Sequence, residues 1–464
     1  MIRKHLLSAI GVIATFAVVG LHAQSWTQIG STAGQYINKI STPAGEPNLV
    51  IATSAEDSLN LEIYSPFSSL IPGHGIIISR NGGESFDERR LDSLAVFDAI
   101  KSRHHSSRWY ATARYLEQGG VVISEDNGVT WDVANMHGVT YSSQKYALAE
   151  SPFNPDYVAV TALATDEGYN YTTDNFKTCT ANADFDIQAR CISFSEAQAG
   201  LVYVGGDDSF ADGVYRSLDS GKTWTKYNSG LENLRVLSVW ASNELPQFVY
   251  CGVDTVYDFA NKLYMGRGIY VSQDTGKTWM PIGAAGSRVF DIKQHPKYPR
   301  FLVAAGNSEG VYVSSAYGFY WEIQSDGLPK GVEVRSIAIP NNEPDDNGGF
   351  SCFAGTQGAG IYKSTPLYTG IEENRTRDVE LMLYPMPCSN YLNVAWENPN
   401  AGNCKIEVRD LMGNEVATIL NAYCPEGHNS LTIDRLDNFV SVSGTYFISI
   451  IMQNGAVSKS FIKL

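Results

Sequence analysis

Ser124-Glu125-Asp126-Asn127-Gly128-Val129-Thr130-Trp131 returns as Ser217-Leu218-Asp219-Ser220-Gly221-Lys222-Thr223-Trp224, and again as Ser272-Gln273-Asp274-Thr275-Gly276-Lys277-Thr278-Trp279. Looser copies begin at Ser79 (SRNGGESF), Thr172 (TTDNFKTC) and Ser314 (SSAYGFYW), so successive copies start 45, 48, 45, 55 and 42 residues apart. The eight residues describe a tight hairpin turn. A short acidic side chain can accept hydrogen bonds from backbone N–H groups two or more residues on. Glycine takes a positive φ at little steric cost, and tryptophan supplies a large apolar anchor. A period of this size suits four short strands and their turns.

Each unit follows the same order, with strands A to D. Strand A is apolar, as in Val236–Val239 and Val289–Ile292. Strand B follows, as in Val202–Val204 and Phe301–Ala304. Strand C is Gly-Val/Ile-Tyr running into the turn, as at Gly213–Ser217 and Gly268–Ser272, and D starts at the turn aromatic. Units of four strands at this spacing predict the blades of an all-β propeller. The last unit offers A (Val334–Ile339), B (Cys352–Gly355) and C (Gly360–Ser364) but no turn after them. Its missing D strand is expected at Ser25-Trp26-Thr27-Gln28-Ile29-Gly30, which matches Thr278-Trp279-Met280-Pro281-Ile282-Gly283. The result is seven blades, with the ring latched by both ends and no open sheet edge.

Composition agrees. The 464 residues are 44% hydrophobic and only 18% charged, with 42 Gly and 26 Tyr, a turn-rich β composition. The net charge of −15 and the lack of a basic run exclude a nucleic-acid surface. Arg3 and Lys4 precede an apolar run from Leu6 to Leu21 and a small residue, Ala23. This pattern predicts a signal peptide over 1–23. No later stretch is long and apolar enough for a membrane span. The seven cysteines (179, 191, 251, 352, 388, 404 and 424) cannot all pair and show no metal-ligand spacing. Cys404 and Cys424 are either a pair or buried thiols; buried thiols are expected for the other five.

The repeat resembles that of the Asp-box (BNR, sortilin-like) propellers: sialidases, two-domain xyloglucanases, sortilin-type receptors and photosystem-assembly propellers. The resemblance covers about residues 24–368. It implies structural roles for Asp126, Gly128, Trp131, Asp219, Gly221, Trp224, Asp274, Gly276 and Trp279. The family mixes enzymes with binders, so the fold does not name an activity. After a polar linker over 369–378, residues 379–464 resemble the C-terminal sorting domain of type IX secretion substrates in Bacteroidetes. That resemblance is carried by Tyr384-Pro385-Met386-Pro387, Leu392-Asn393-Val394, Val408–Gly413, Gly444–Phe447 and the terminal Lys459–Lys463. Met386 stands where the family usually has Asn. The tail reads as a short-stranded β-sandwich. It implies export by the type IX machinery, then release or attachment to surface lipopolysaccharide. Three triplets (from Asp57, Asp92 and Asp254) resemble O-glycosylation sites.

The turns and the A–B connections share one face, so ligand-binding candidates belong to the B–C and D–A loops of the other. Two long B–C loops are expected. The first, 53–74, carries Glu56, Asp57, Tyr64 and Phe67, and the second, 253–267, carries Asp254, Tyr257, Asp258, Phe259, Tyr264 and Met265. Aromatics beside carboxylates suit sugar stacking and hydroxyl recognition, or simply pack the loop to the rim. Arg190, Arg235, Arg288 and Arg335 precede strand A in four blades, with Lys145 in a fifth and Gln35 and Ala95 elsewhere. They either ring the channel mouth and hold an anionic group or bridge to acidic residues of the next blade. Asp207, Asp208 and Asp212 lack calcium-loop spacing, and no metal or cofactor is expected. Asp345 and Asp346 fall in an A–B excursion.

No catalytic set is recognisable. The Arg-Ile-Pro of sialidases is absent, and the second propeller of a xyloglucanase cleft is missing. Ser-His-Asp catalysis finds no support: His104-His105 fall in an A–B turn. The leading expectation is a secreted or surface-attached binding propeller for a glycan or peptide. The alternatives are a glycoside hydrolase or lyase using carboxylates among Glu117, Asp166, Glu167, Asp207 and Asp254, and a structural surface antigen.

Overall fold

Asp126 shows why the repeated segment turns. Its Oδ1 accepts the backbone N–H groups of Val129 (3.0 Å) and Thr130 (2.8 Å), and its Oδ2 accepts the Thr130 hydroxyl at 2.6 Å. Ser124 Oγ accepts the Gly128 N–H at 2.8 Å and donates to Asp126. The bonds recur around Asp219 and Asp274, and in each of the three turns the indole N–H donates to the glycine carbonyl at 3.0 Å. The computed structural model describes residues 26–55, 74–115, 118–134, 145–163, 168–182, 185, 187–206, 213–232, 234–258, 263–307, 309–314, 317–318, 321–341, 349–367, 381–384, 388–398, 400–409, 415–442, 444–452 and 455–463. The signal peptide predicted over 1–23 and the linker predicted over 369–378 lie outside them, as do Tyr64, Glu117, Asp166, Glu167, Asp207, Asp208, Asp212, Asp345 and Asp346.

The chain divides at Thr369 into two compact units. The first holds seven four-stranded antiparallel sheets, six in the simple order A-B-C-D. The seventh is closed by Trp26–Gln28, which pairs with Gly360–Ser364 in the register Trp26↔Ser364 and Gln28↔Tyr362. Ile29 N–H continues the ladder to Ile361 O at 2.9 Å. The fold is therefore a seven-bladed β-propeller in which the first strand completes the last sheet.

Seven separate apolar clusters fill the seams between neighbouring blades, including the closing seam between blades seven and one. Trp131, Trp224 and Trp279 pack into the seams that join their own blades to the preceding ones. Trp26 does the same for blade seven. It is 4% exposed, lies in the seam with blade six and donates its indole N–H to Gln324 O at 2.7 Å. The turn glycines matter for the same reason. Gly221 has φ +88, and a Cβ there would overlap the Tyr169 ring of blade three.

The second unit is a sandwich. A three-stranded sheet (Leu381–Tyr384, Tyr391–Asn398, Gly427–Asp434) accompanies a four-stranded one (Glu415–Cys424, Gly402–Arg409, Gly444–Met452, Gly455–Lys463). They share one core built on Trp396, Ile406, Ile448 and Phe461. All seven cysteines are free thiols. Cys404 and Cys424 are neighbours on adjacent strands, and burial together with Cys424 pushes the Cys404 thiol up to about 11.

Two outcomes are expected. Gly221→Ala loses about 2 kcal/mol or more, combining positive-φ strain with overpacking. Gly286→Ala, with φ +90 but nothing within 4 Å of the new Cβ, loses only the strain, about 1 kcal/mol; urea unfolding separates them. Acid is the second lever. Hydrogen bonds from Thr130 hold Asp126 down to about 2, and those from Thr178 hold Asp174 low. At Asp219 and Asp274 burial opposes the charge, but the threonine bonds outweigh it and the net shift is downward. A depressed folded pKa stabilises above the unfolded carboxylate value of about 3.9 and is lost as pH falls toward about 2. Thermal melts should therefore collapse across that window, and the Asp219→Asn, Asp274→Asn double variant should show a shallower fall.

Candidate functional site

Strand A lines the channel, and it carries a repeated irregularity. In six blades the A–B register shifts at one place: between Val96 and Asp98, Lys145 and Leu148, Ala189 and Cys191, Val236 and Ser238, Val289 and Asp291, and Val334 and Ser336. A bulge re-aims the extra side chain. Here the extra residues are Phe97, Tyr146, Arg190, Leu237, Phe290 and Arg335, and they meet their counterparts in adjacent blades. Phe97 stacks on Tyr146 (centroids 5.7 Å apart), and the Arg190 guanidinium lies 4.8 Å over Tyr146. Leu237 packs on Phe290, and Arg335 lies 4.4 Å over the Phe290 ring. The six form two arcs of an annulus.

The register divides the four arginines, weighed above as either a ring or bridges between blades, into two positions. Arg190 and Arg335 occupy the bulge, whereas Arg235 and Arg288 stand one residue before the valine that precedes it. Lys145 takes that valine position and is buried. Arg235 and Arg288 instead converge on Asp254, which is 2% exposed: Arg288 Nε lies 2.6 Å from Oδ1 and Arg235 Nη1 lies 3.3 Å from Oδ2. Blade six thus reaches back to blade five, an inter-blade bridge. Arg335 pairs with Glu333 at 2.5 Å and donates to Gln357 at 2.8 Å. Arg190 donates to the Tyr146 hydroxyl at 3.1 Å.

The 253–267 segment also differs from expectation. It is mostly ladder, not loop: strand B of blade five runs Val249–Asp258 and strand C runs Leu263–Ser272. The hairpin continues four residue pairs past Val253↔Gly268 and its neighbour Asp254, with Tyr257 directly opposite Tyr264. The three site candidates Arg235, Asp254 and Arg288 therefore meet at its base, with Tyr257 and Tyr264 further along the same ribbon. His104 and His105 lie in the blade-two A–B turn, where His104 Nε2 bonds Ser151 O and His105 Nε2 is 3.6 Å from Asp156.

Deeper in the channel lies a charge cluster not anticipated from sequence. Asp291 Oδ1 is 3.3 Å from both Lys39 Nζ and Lys293 Nζ. Its Oδ2 accepts the Ser336 hydroxyl (2.9 Å) and the Ile337 N–H (3.2 Å) of blade seven. Asp98 of blade two accepts the Leu148 N–H of blade three at 2.9 Å, and Ser336 Oγ accepts the Ile40 N–H of blade one at 3.0 Å. In blades two, six and seven the bulge-following side chain thus binds strand A of the next blade. Burial opposes charge throughout. It wins at Asp98, which is held high, and at Lys293, which is held low; at Asp291 the two lysines outweigh it and hold the carboxyl low, and at Lys39 the two aspartates outweigh it and hold the amine high. The signal in the sequence was an Asp inside an apolar strand, in Val96-Phe97-Asp98 and Val289-Phe290-Asp291. Among the described residues no group of acids, histidines and cysteines is arranged to hold a metal.

Comparison with known proteins places both units. Residues 382–464 match the family model of the secretion system C-terminal sorting domain. The GH74 xyloglucanase of Xanthomonas campestris is similar in structure (TM-score 0.56, 14% identity), matched over 81% of this chain and 59% of that one. YCF48 of Cyanidioschyzon merolae is similar over 73% of this chain and 98% of its own (TM-score 0.51, 12% identity). So is a YCF48 structure bound to D1 peptide, over 74% and 94% (TM-score 0.50, 12% identity). These likenesses establish the propeller fold. The chain spans little more than half of the xyloglucanase. No curated protein matches the sequence. The sorting domain implies dealings with the type IX machinery and a surface or secreted location, and no described helix is long and apolar enough to cross a membrane.

Asp254→Ala leaves two guanidiniums without their carboxylate in a largely buried setting. Thermal unfolding should show a loss of about 3 kcal/mol, against about 1 kcal/mol or less for Arg235→Ala, whose side chain is 28% accessible.

Proposed function

We propose that the chain is an exported binding propeller of the Asp-box class, whose ligand, a glycan or a peptide, docks on the face opposite the repeated turns. The observation that carries this reading is the blade-five hairpin. Four extra residue pairs, Tyr257 opposite Tyr264 among them, rise from a base braced by Arg235, Asp254 and Arg288. A ribbon on a rigid base limits the ordering cost of binding. The Phe290–Arg335 stack belongs to the inner rim of the next two blades, six and seven, and aromatic and arginine side chains are the usual binding anchors. YCF48, a propeller of this fold, is one that binds a peptide.

A hydrolytic role has less support. Asp254, the one described carboxylate among those weighed for acid–base work, is engaged by two arginines and spans a blade seam. The sorting domain supplies the route out of the cell. A leader over 1–23 and attachment to surface lipopolysaccharide complete the proposed life history.

Glycan and peptide arrays probed with the mature chain test the proposal. A ligand should appear, and Tyr257→Ala and Arg335→Ala should each weaken it about tenfold, roughly 1.4 kcal/mol. Binding unaffected by either variant, the absence of any ligand, or glycoside turnover abolished by one carboxylate substitution would each overturn it.

A further inference from the structure

The lysines of the channel cluster do more than neutralise aspartates. Both Nζ atoms sit 3.3 Å from the same oxygen of Asp291, so two ammonium groups crowd one acceptor. Both remain partly accessible, 31% for the Lys39 side chain and 20% for the Lys293 side chain, while Asp291 is 2% accessible. Lys293 lies 4.5 Å over the face of Trp240. The buried Trp240 indole N–H has no hydrogen-bond partner among the described residues.

We propose that Lys293 is a nucleophilic amine that captures small carbonyl compounds (aldehydes or 2-oxo acids) as an imine inside the channel. This site is separate from the ligand face and does not depend on it. The physical requirement for such a lysine is a neighbour that makes its charged form costly, either an apolar wall or another cation. Lys293 has the second, in Lys39, which shares the same Asp291 oxygen; the Trp240 face, a cation–π partner, favours the charged form instead. Burial and the Lys39 charge hold its pKa low, against the pull of Asp291 and the weaker pull of Asp98. Lys39 is held high by Asp291 and Asp98 and stays the permanent cation, with Cys191 a distant further contributor. The uncharged Nζ adds to the carbonyl carbon. A C–N bond forms, the C=O π pair moves to oxygen, and that oxygen is protonated as nitrogen gives up a proton. The hydroxyl then leaves as water, with a second proton, and leaves the imine. The sum is amine plus carbonyl to imine plus water, with no redox change. Burial holds the Asp98 carboxyl above its ordinary value.

Reductive trapping tests this. The folded chain is treated at pH 7 with glyoxylate, and separately with benzaldehyde, each with cyanoborohydride, and mapped by peptide mass spectrometry. Lys293 should be modified at least about tenfold faster than the exposed turn lysines Lys222 and Lys277. Lys39→Met should slow Lys293 to their rate, and Lys39→Arg should preserve its advantage, with circular dichroism confirming the fold of both. Lys293 modified no faster than Lys222 and Lys277 would overturn the proposal, and so would an advantage that survives Lys39→Met. Should Lys39→Met fail to fold, the comparison within the wild-type chain decides alone.

Discussion

Every blade of this propeller buries both faces of its sheet against its neighbours, so the seams between blades carry the structure. A sheet of four short strands cannot form a core alone. Seven apolar clusters, one per seam, exist only if the seventh blade meets the first. The strand Trp26–Gln28 provides that meeting. It adds to blade seven from the other end of the unit, places Trp26 in the blade-six seam and lets Ile29 join the blade-one seam. Closure also leaves no blade with an open flank.

The same geometry organises the channel. A bulge at one register position in six A strands turns an extra side chain toward its counterparts, and in five of them it seats a short polar residue or a cysteine just beyond it. The outer layer becomes an annulus of aromatic and guanidinium planes. The inner layer carries hydrogen bonds from blade two to three, six to seven and seven to one, with Lys39 reaching from blade one past blade seven to Asp291 in blade six. A binding rim and a buried charge cluster are thus two outcomes of one backbone irregularity. Buried ion clusters add specificity more surely than stability, which suits a ring that must close in a single register.

Much of the fold was legible because its signals are local. The Ser-Asp-Gly-Thr-Trp spacing encodes a hydrogen-bonded turn without help from distant residues, and Trp26 was placed because its neighbourhood repeats that of Trp279. The site was less legible because its signals are not. Counting residues put Arg190, Arg235, Arg288 and Arg335 in one ring, yet the bulge adds a residue that counting cannot see, and the four fall at two positions. Thr255-Val256-Tyr257 and Tyr264-Met265 are good strand residues, but the carboxylates and length around them suggested a loop. Asp98 and Asp291 were passed over because a lone acid in an apolar strand finds its partners only in other blades.

Native-state hydrogen exchange of the N-terminal strand tests closure most directly. The amides of Trp26 and Ile29, bonded to Asp326 O and Ile361 O, should exchange only through global opening of the propeller, as slowly as those of 361–364. Exchange at the rate of a free peptide, with 361–364 still protected, would contradict a ring closed by its first strand.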